Sequence, residues 1–188
     1  MTEYLLAGLD SVPPTSWCYW IVEGKFLAGA YPGSPHLEQM DRRMQALTGA
    51  GAGVSLFVNL MESAETNREG EPFAAYERSA QYYGAARMDR YPIQDGGIPT
   101  PDAMTEILDA MDAALSSGET IYLHCWGGVG RTGTVAACWL KRHGLATDDD
   151  VFDVLQRLRE ADRDRGSRNS PETKVQHDFV ANWKEPPR

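Results

Sequence analysis

An α/β fold, with a central, mostly parallel sheet of about four to five strands and helices on both faces, is what this chain of 188 residues predicts. Two observations carry that expectation. Short β-branched and aromatic runs alternate with longer stretches of helical periodicity, the pattern of strands joined by crossover helices. In addition, a glycine-rich segment, Trp126-Gly127-Gly128-Val129-Gly130, lies between one such run and one such helix, so it sits where open α/β sheets place their ligands, at strand carboxyl ends.

The elements follow in order. Trp17 to Val22 and Phe26 to Ala30 form a hairpin around Glu23-Gly24-Lys25, and Tyr31-Pro32-Gly33-Ser34-Pro35 then turns into a helix near His36 to Leu47. Val54 to Leu60 is a core strand, Pro72 to Tyr83 a helix, and Ala86 to Ile93 a strand. Thr100 caps an amphipathic helix from Pro101 to Leu115, with Asp102 in its first turn for the helix dipole. Thr120 to His124 (TIYLH), bounded upstream by Ser117-Gly118, is a buried strand, and Gly130 onward is helical until near Gly144. Helices near Asp148 to Glu160 and Pro171 to Trp183 complete the order, the first begun by the Asp148-Asp149-Asp150 run, the second capped by Ser170 with Pro171 at its first position. Residues 1–188 are expected to form a single domain, with 1–16 an N-terminal extension; the length suffices for a substantial core.

Composition narrows the function. A formal charge of −9 and the absence of any basic run disfavour nucleic acid and anionic membranes as partners. Three scattered cysteines suggest reduced thiols and a cytoplasmic protein. Tyr4 to Leu9 is too short and lacks the basic flank of a secretory signal, and no apolar run reaches membrane-spanning length.

The chemistry is concentrated in His124 to Thr134, HCWGGVGRTGT. Cys125 ends a strand; the following glycines let backbone N–H groups approach an anion, and the helix N-terminus adds its positive end. A thiol attacks only as its thiolate, which those N–H groups and the charge of Arg131 favour. Arg131 can also grip two phosphate oxygens at once with its planar fork. Thr132 puts a hydroxyl near the sulfur, where it could stabilise the departing thiolate. His124, turned away from Cys125 by strand alternation, is read as a loop organiser and not a proton shuttle.

A leaving alkoxide or phenoxide needs a proton, and the donor should stand on a separate, movable loop. In Arg90 to Pro101, RYPIQDGGIPTP, Asp95 precedes two glycines that permit loop closure. Asp102 is assigned to the helix start and Asp89 to a polar strand face between Arg87 and Arg90. The competing reading of Asp95 is a turn aspartate before Gly-Gly.

These residues resemble the signature of the cysteine-dependent protein phosphatases, His-Cys-five residues-Arg-Ser/Thr, and the chain from Trp17 to Trp183 is similar to the dual-specificity branch, particularly its kinase-associated phosphatase-like members. The resemblance implies the cysteine phosphatase fold, a phosphocysteine intermediate, no metal and no cofactor. It implies Cys125 as nucleophile, Trp126, Gly127, Gly128, Val129, Gly130 and Arg131 as the phosphate-binding loop, and Asp95 at the Pro-Ile-x-Asp general acid. Gln176 in SPETKVQ resembles a glutamine that places the hydrolytic water in some relatives; an exposed helical glutamine is the other reading. The expected substrate is a phosphorylated protein or a small phosphomonoester. Because the loop carries Trp126 and Val129 where polyanion-specific relatives carry lysines, a singly phosphorylated group is expected, phosphotyrosine first. Small-molecule phosphatases of the same fold, a catalytically silent phosphate-binding module and, more distantly, rhodanese-like sulfur transferases are the alternatives. Cys18 and Cys138 are read as small core residues; Arg163, Arg165 and Arg168 could meet an acidic substrate, but Asp162 and Asp164 interleave with them, so they are read as a solvated loop.

Overall fold

The computed structural model describes residues 4–49 and 52–185, and its architecture is the expected α/β sandwich of layers. Five strands form one sheet in the order β1-β2-β5-β3-β4: β1 Cys18–Val22, β2 Phe26–Gly29, β3 Leu56–Asn59, β4 Arg87–Arg90 and β5 Ile121–His124. Only the β1–β2 hairpin is antiparallel; every other pairing is parallel. Parallel neighbours require long crossovers, and the helices supply them.

Alternation along β5 divides the core. Ile121 and Leu123 face α3 (Pro101–Ser116), α4 (Gly130–Arg142) and α5 (Val151–Arg159), among Met104, Leu108, Val135 and Leu155. Tyr122 faces the other side, where Met40, Met44 and Leu47 of α1 (Leu37–Thr48) and Ala80 of α2 (Glu77–Gly84) pack. Parallel strands buried on both faces read as continuous apolar runs, as IYL does here. Tyr4, ahead of the hairpin, is buried against Trp139 and His143, and Ala7 N–H donates to the Ile21 carbonyl at 3.0 Å. No helix among the described residues is long and apolar enough to cross a membrane.

Several boundaries differ from expectation: β3 is Leu56–Asn59 and not Val54 to Leu60, α5 begins at Val151 and not near Asp148, and three further differences are larger or bear on the site. The helix anticipated from Pro72 begins only at Glu77, because Pro72 bridges Thr66, the Phe73 ring packs edge-on against Trp126 and tilted against Tyr31, and the Ala74 carbonyl is taken by Tyr31 Oη. The strand after it is shorter, Arg87–Arg90, although Tyr91 and Ile93 N–H groups still bond Asn59 and Leu60 at 2.9 and 3.0 Å. The last helix, α6 (Lys174–Asn182), is capped by Thr173 and not by Ser170. Thr173 and Gln176 form a reciprocal capping box, whereas Ser170, preceding a cis Pro171, donates its Oγ–H to the Val129 carbonyl at 2.7 Å.

Candidate active site

β5 lies between β2 and β3, with Gly29 and Asn59 both level with His124. Cys125 therefore emerges just beyond the ends of three parallel strands, in the crevice the topology leaves open. The loop that follows is held by its carbonyls. Those of Cys125, Trp126 and Val129 accept from His124 Nδ1 (3.1 Å), Tyr31 N–H (2.9 Å) and Ser170 Oγ (2.7 Å). With the carbonyls drawn outward into the scaffold, no carbonyl among the described residues takes the N–H groups of Trp126 to Val129. That is the polarity an anion cradle needs.

Gly128 shows why the loop needs glycine. Its φ is +69°, in the region where a side chain is strained, and a Cβ there would stand 2.6 Å from the Ala30 amide nitrogen and overlap the Gly29 backbone.

His124 is fully buried, with Nε2 2.6 Å from Tyr76 Oη. A carbonyl oxygen can only accept, so Nδ1 carries the proton toward Cys125 O, and Nε2 accepts from the tyrosine. Burial pushes this imidazole down to about 3, keeping it neutral. The ring thus bridges the Cys125 carbonyl and Tyr76, and Tyr76 gave no local signal in the sequence.

Arg131, in the first turn of α4, is 1% exposed. Its Nη1 donates to Ile93 O at 2.9 Å and to Glu65, its Nη2 donates to the second Glu65 oxygen at 3.0 Å, and Asp95 Oδ1 lies 2.9 Å from Nη2. Burial opposes the charge, but Glu65, Cys125 and Asp95 outweigh it and hold the guanidinium above its ordinary range. Glu65 was not anticipated. It is 66 residues from Arg131 in sequence, on the segment after β3, and nothing about its neighbours marks it.

A cavity of about 450 Å³ opens on Cys125, with Trp126, Gly127, Gly130, Arg131 and Asp95 on its walls. Val129 and Thr132 stay behind the loop: Val129 is buried in the core, and the Thr132 hydroxyl is buried with no hydrogen-bond partner among the described residues. Leaving such a group unpaired costs about 1–3 kcal/mol. Asp95 has its side chain 66% exposed, on a turn docked to α6: Thr173 Oγ donates to Gly96 O at 3.1 Å and Gln176 Nε2 to Gly97 O at 3.0 Å. Asp102 and Asp89 are not among the residues lining the cavity.

The exposed reading of Gln176 is corrected. It is fully buried, its Oε1 accepts from the N–H groups of Glu172 and Thr173 at 3.1 Å each, and it borders the cavity beside Gly130. The solvated-loop reading of residues 162–168 is corrected in part. Asp162 is buried, its Oδ1 accepting from the N–H groups of Asp164 and Arg165, and Arg165 and Arg168 line the cavity, while Arg163 stays exposed. Cys18 and Cys138 are buried free thiols; burial pushes Cys18 up to about 11 and Cys138 higher still, which leaves both inert.

A central strand ending in cysteine, a glycine-rich anion loop and an arginine at the following helix define the class of cysteine-dependent, dual-specificity-like phosphatases. A model of the family described as "Polymorphic toxin system, DSP-PTPase phosphatase" matches residues 36–145, and the chain belongs to that family. Among curated relatives, the 067L protein of Invertebrate iridescent virus 3, a tyrosine phosphatase by its proposed name, is 33% identical over 127 residues, 64% of this chain and 44% of that protein. Human cyclin-dependent kinase inhibitor 3 is 40% identical over 70 residues, 37% of this chain and 33% of that protein. The chain thus spans less than half the length of these relatives. The fold is shared with kinase-associated phosphatase, solved with serine in place of its catalytic cysteine, at a TM-score of 0.66 and 23% identity over 82% of this chain and 83% of that one.

Proposed function

We propose that this chain hydrolyses phosphate monoesters through a phosphocysteine intermediate, as a protein-tyrosine or dual-specificity phosphatase. The observation that carries the reading is the convergence of Cys125, Arg131 and Asp95 on one cavity at the carboxyl end of β5. In this cycle the Cys125 thiolate attacks phosphorus while Arg131 and the N–H groups of Trp126 to Gly130 hold the transferring oxygens. Asp95 gives its proton to the leaving oxygen as the P–O bond breaks. A water then attacks the phosphocysteine, Asp95 takes its proton, and phosphate leaves as the sulfur recovers its electron pair. The Thr132 hydroxyl, buried and without a hydrogen-bond partner among the described residues, would have to turn to that sulfur as it departs, and His124 keeps the loop in shape.

Gln176 takes a part in the second step. Both lone pairs of its Oε1 and one N–H are committed to α6 and the Asp95 turn, and the remaining N–H is the group that would hold the water. The substrate is a phosphorylated protein or a small phosphomonoester. A cytoplasmic setting belongs to the same reading and rests on three cysteines that are all free.

The test is an assay with chelator present on phosphotyrosyl, phosphoseryl and inositol phosphate substrates, run beside Cys125→Ser. Expected are turnover by the wild type, inhibition by vanadate, and an inactive variant that still binds substrate. Turnover by Cys125→Ser would falsify the covalent route.

A further inference from the structure

We infer that the cavity holds a second anion subsite, formed by Arg68 and Arg165 with Arg168 beside them, and that the preferred substrate carries a second phosphate on the same molecule. The inference rests on the phosphomonoesterase reading above and departs from the expectation, drawn from the loop alone, of a singly phosphorylated group. Arg68 comes from the segment after β3, and Arg165 and Arg168 from the segment between α5 and α6; all three line the cavity that exposes Cys125. The positive charge that the glycine-rich loop lacks is supplied by its neighbours.

The charges at this rim are not equally committed. Arg131 answers Glu65 and Asp95, and Arg168 answers Glu172. Among the described residues, neither Arg68 nor Arg165 has an ion pair; the Arg68 guanidinium stands over the Trp126 ring, 5.9 Å from its centroid. In a chain of net charge −9, with 27 acidic residues to 18 basic ones, two unpaired guanidiniums at one opening are a local reversal of sign. Glu69 also borders the cavity and opposes them.

The segment carrying Arg165 and Arg168 is built to stay in place. Arg159, fully buried, donates Nη2 to the Arg165 carbonyl at 2.9 Å and Nη1 to the Arg168 carbonyl. Asp162 accepts the Arg165 N–H at 2.9 Å, and Gln156 donates to Gly166 O at 2.5 Å. An interior arginine spent on two backbone carbonyls fixes the backbone from which Arg165 and Arg168 project, and holding the segment in place before any ligand arrives lowers the ordering cost of binding a phosphate there.

The probes are an inositol bisphosphate with its monophosphate, and a peptide carrying phosphotyrosine and phosphothreonine with its phosphotyrosine-only form. Two readouts are taken: kcat/KM with the wild type and calorimetric binding with Cys125→Ser, each repeated after Arg68→Ala and Arg165→Ala together. The doubly phosphorylated member of at least one pair should be favoured about tenfold or more, the scale of charge-assisted hydrogen bonds. The double substitution should remove that preference, changing the singly phosphorylated member far less. Glu69→Gln should act in the opposite sense, and salt should erode the preference. Which pair shows it separates a small polyphosphate from a phosphoprotein as the source. Because neither truncated side chain has an ion-pair partner, folding is not at stake, and thermal melts check it. Equal handling of one and two phosphates, or equal loss on both after substitution, overturns the subsite. Failure of the phosphatase reading looks different: no turnover of any probe by the wild type, with the binding comparison still deciding the subsite.

Discussion

Glu65 grips both terminal nitrogens of Arg131, a carboxylate fork on a guanidinium fork, across 66 residues of sequence. The pair fixes the plane in which the arginine would meet phosphate oxygens. Glu65→Gln keeps one acceptor and loses the charge; kcat/KM should fall by roughly tenfold, the loss lying mainly in kcat because orientation matters most at the transition state. Steady-state kinetics on an aryl phosphate reads this directly, and an unchanged kcat would make Glu65 a packing residue only.

Asp95→Asn tests the proton donor. An alcohol with a poorly acidic hydroxyl needs protonation as it leaves, an activated phenol does not, so the variant should lose about 10²–10⁴-fold on alkyl or phosphoseryl esters and far less on p-nitrophenyl phosphate. Equal losses on both substrates would remove Asp95 from this role.

Gly128→Ala should lose both activity and stability. The new methyl meets backbone at Gly29 and Ala30, which cannot rotate away, and φ stays at +69°; a loss of about 2 kcal/mol or more in denaturant unfolding is expected. By contrast, Gly118→Ala, also at positive φ but with open space around its Cβ, carries the conformational strain alone and should cost less.

His124 makes stability depend on pH. Burial holds the folded imidazole at about 3 against an ordinary 6.5, so below pH 6.5 the unfolded chain binds the proton and the native one does not. The contribution is therefore complete above the unfolded value and is lost as pH falls toward the folded one, by about 2 kcal/mol between roughly pH 7.5 and 5. Urea midpoints at those two pH values should differ in this sense, and His124→Gln, which cannot titrate, should flatten the difference.

Much of this protein was legible in the linear chain because its signals are local. The run TIYLH, the glycines after Cys125 and the helical periodicity from Gly130 each act over a few residues through strand alternation, permitted φ and hydrogen bonds at short spacing, and they specify the strand, turn and helix that β5 and α4 became. The turn that carries Asp95 was readable for the same reason, from a strand end followed by Gly-Gly, while the role proposed for it came from the resemblance. Where local preference met a long-range partner, the partner decided: Tyr31 and Trp126 drew Phe73 and Ala74 out of the expected helix, and Val129 drew Ser170 away from the cap of α6.

The amino-acid order by itself determined the layered α/β class, the glycine-rich loop with Cys125 and Arg131, and the turn that carries Asp95. Only tertiary packing decided what surrounds them: Glu65 on the guanidinium, Tyr76 on His124, Gln176 buried between α6 and the Asp95 turn, and Arg159 holding Arg165 and Arg168 at the cavity. The reason is physical. A backbone conformation is set by forces among near neighbours and leaves a periodic trace, whereas a buried ion pair or a shared carbonyl depends on where distant segments finally lie, and a lone Glu or Arg in a polar stretch looks the same whether it will face water or another charge.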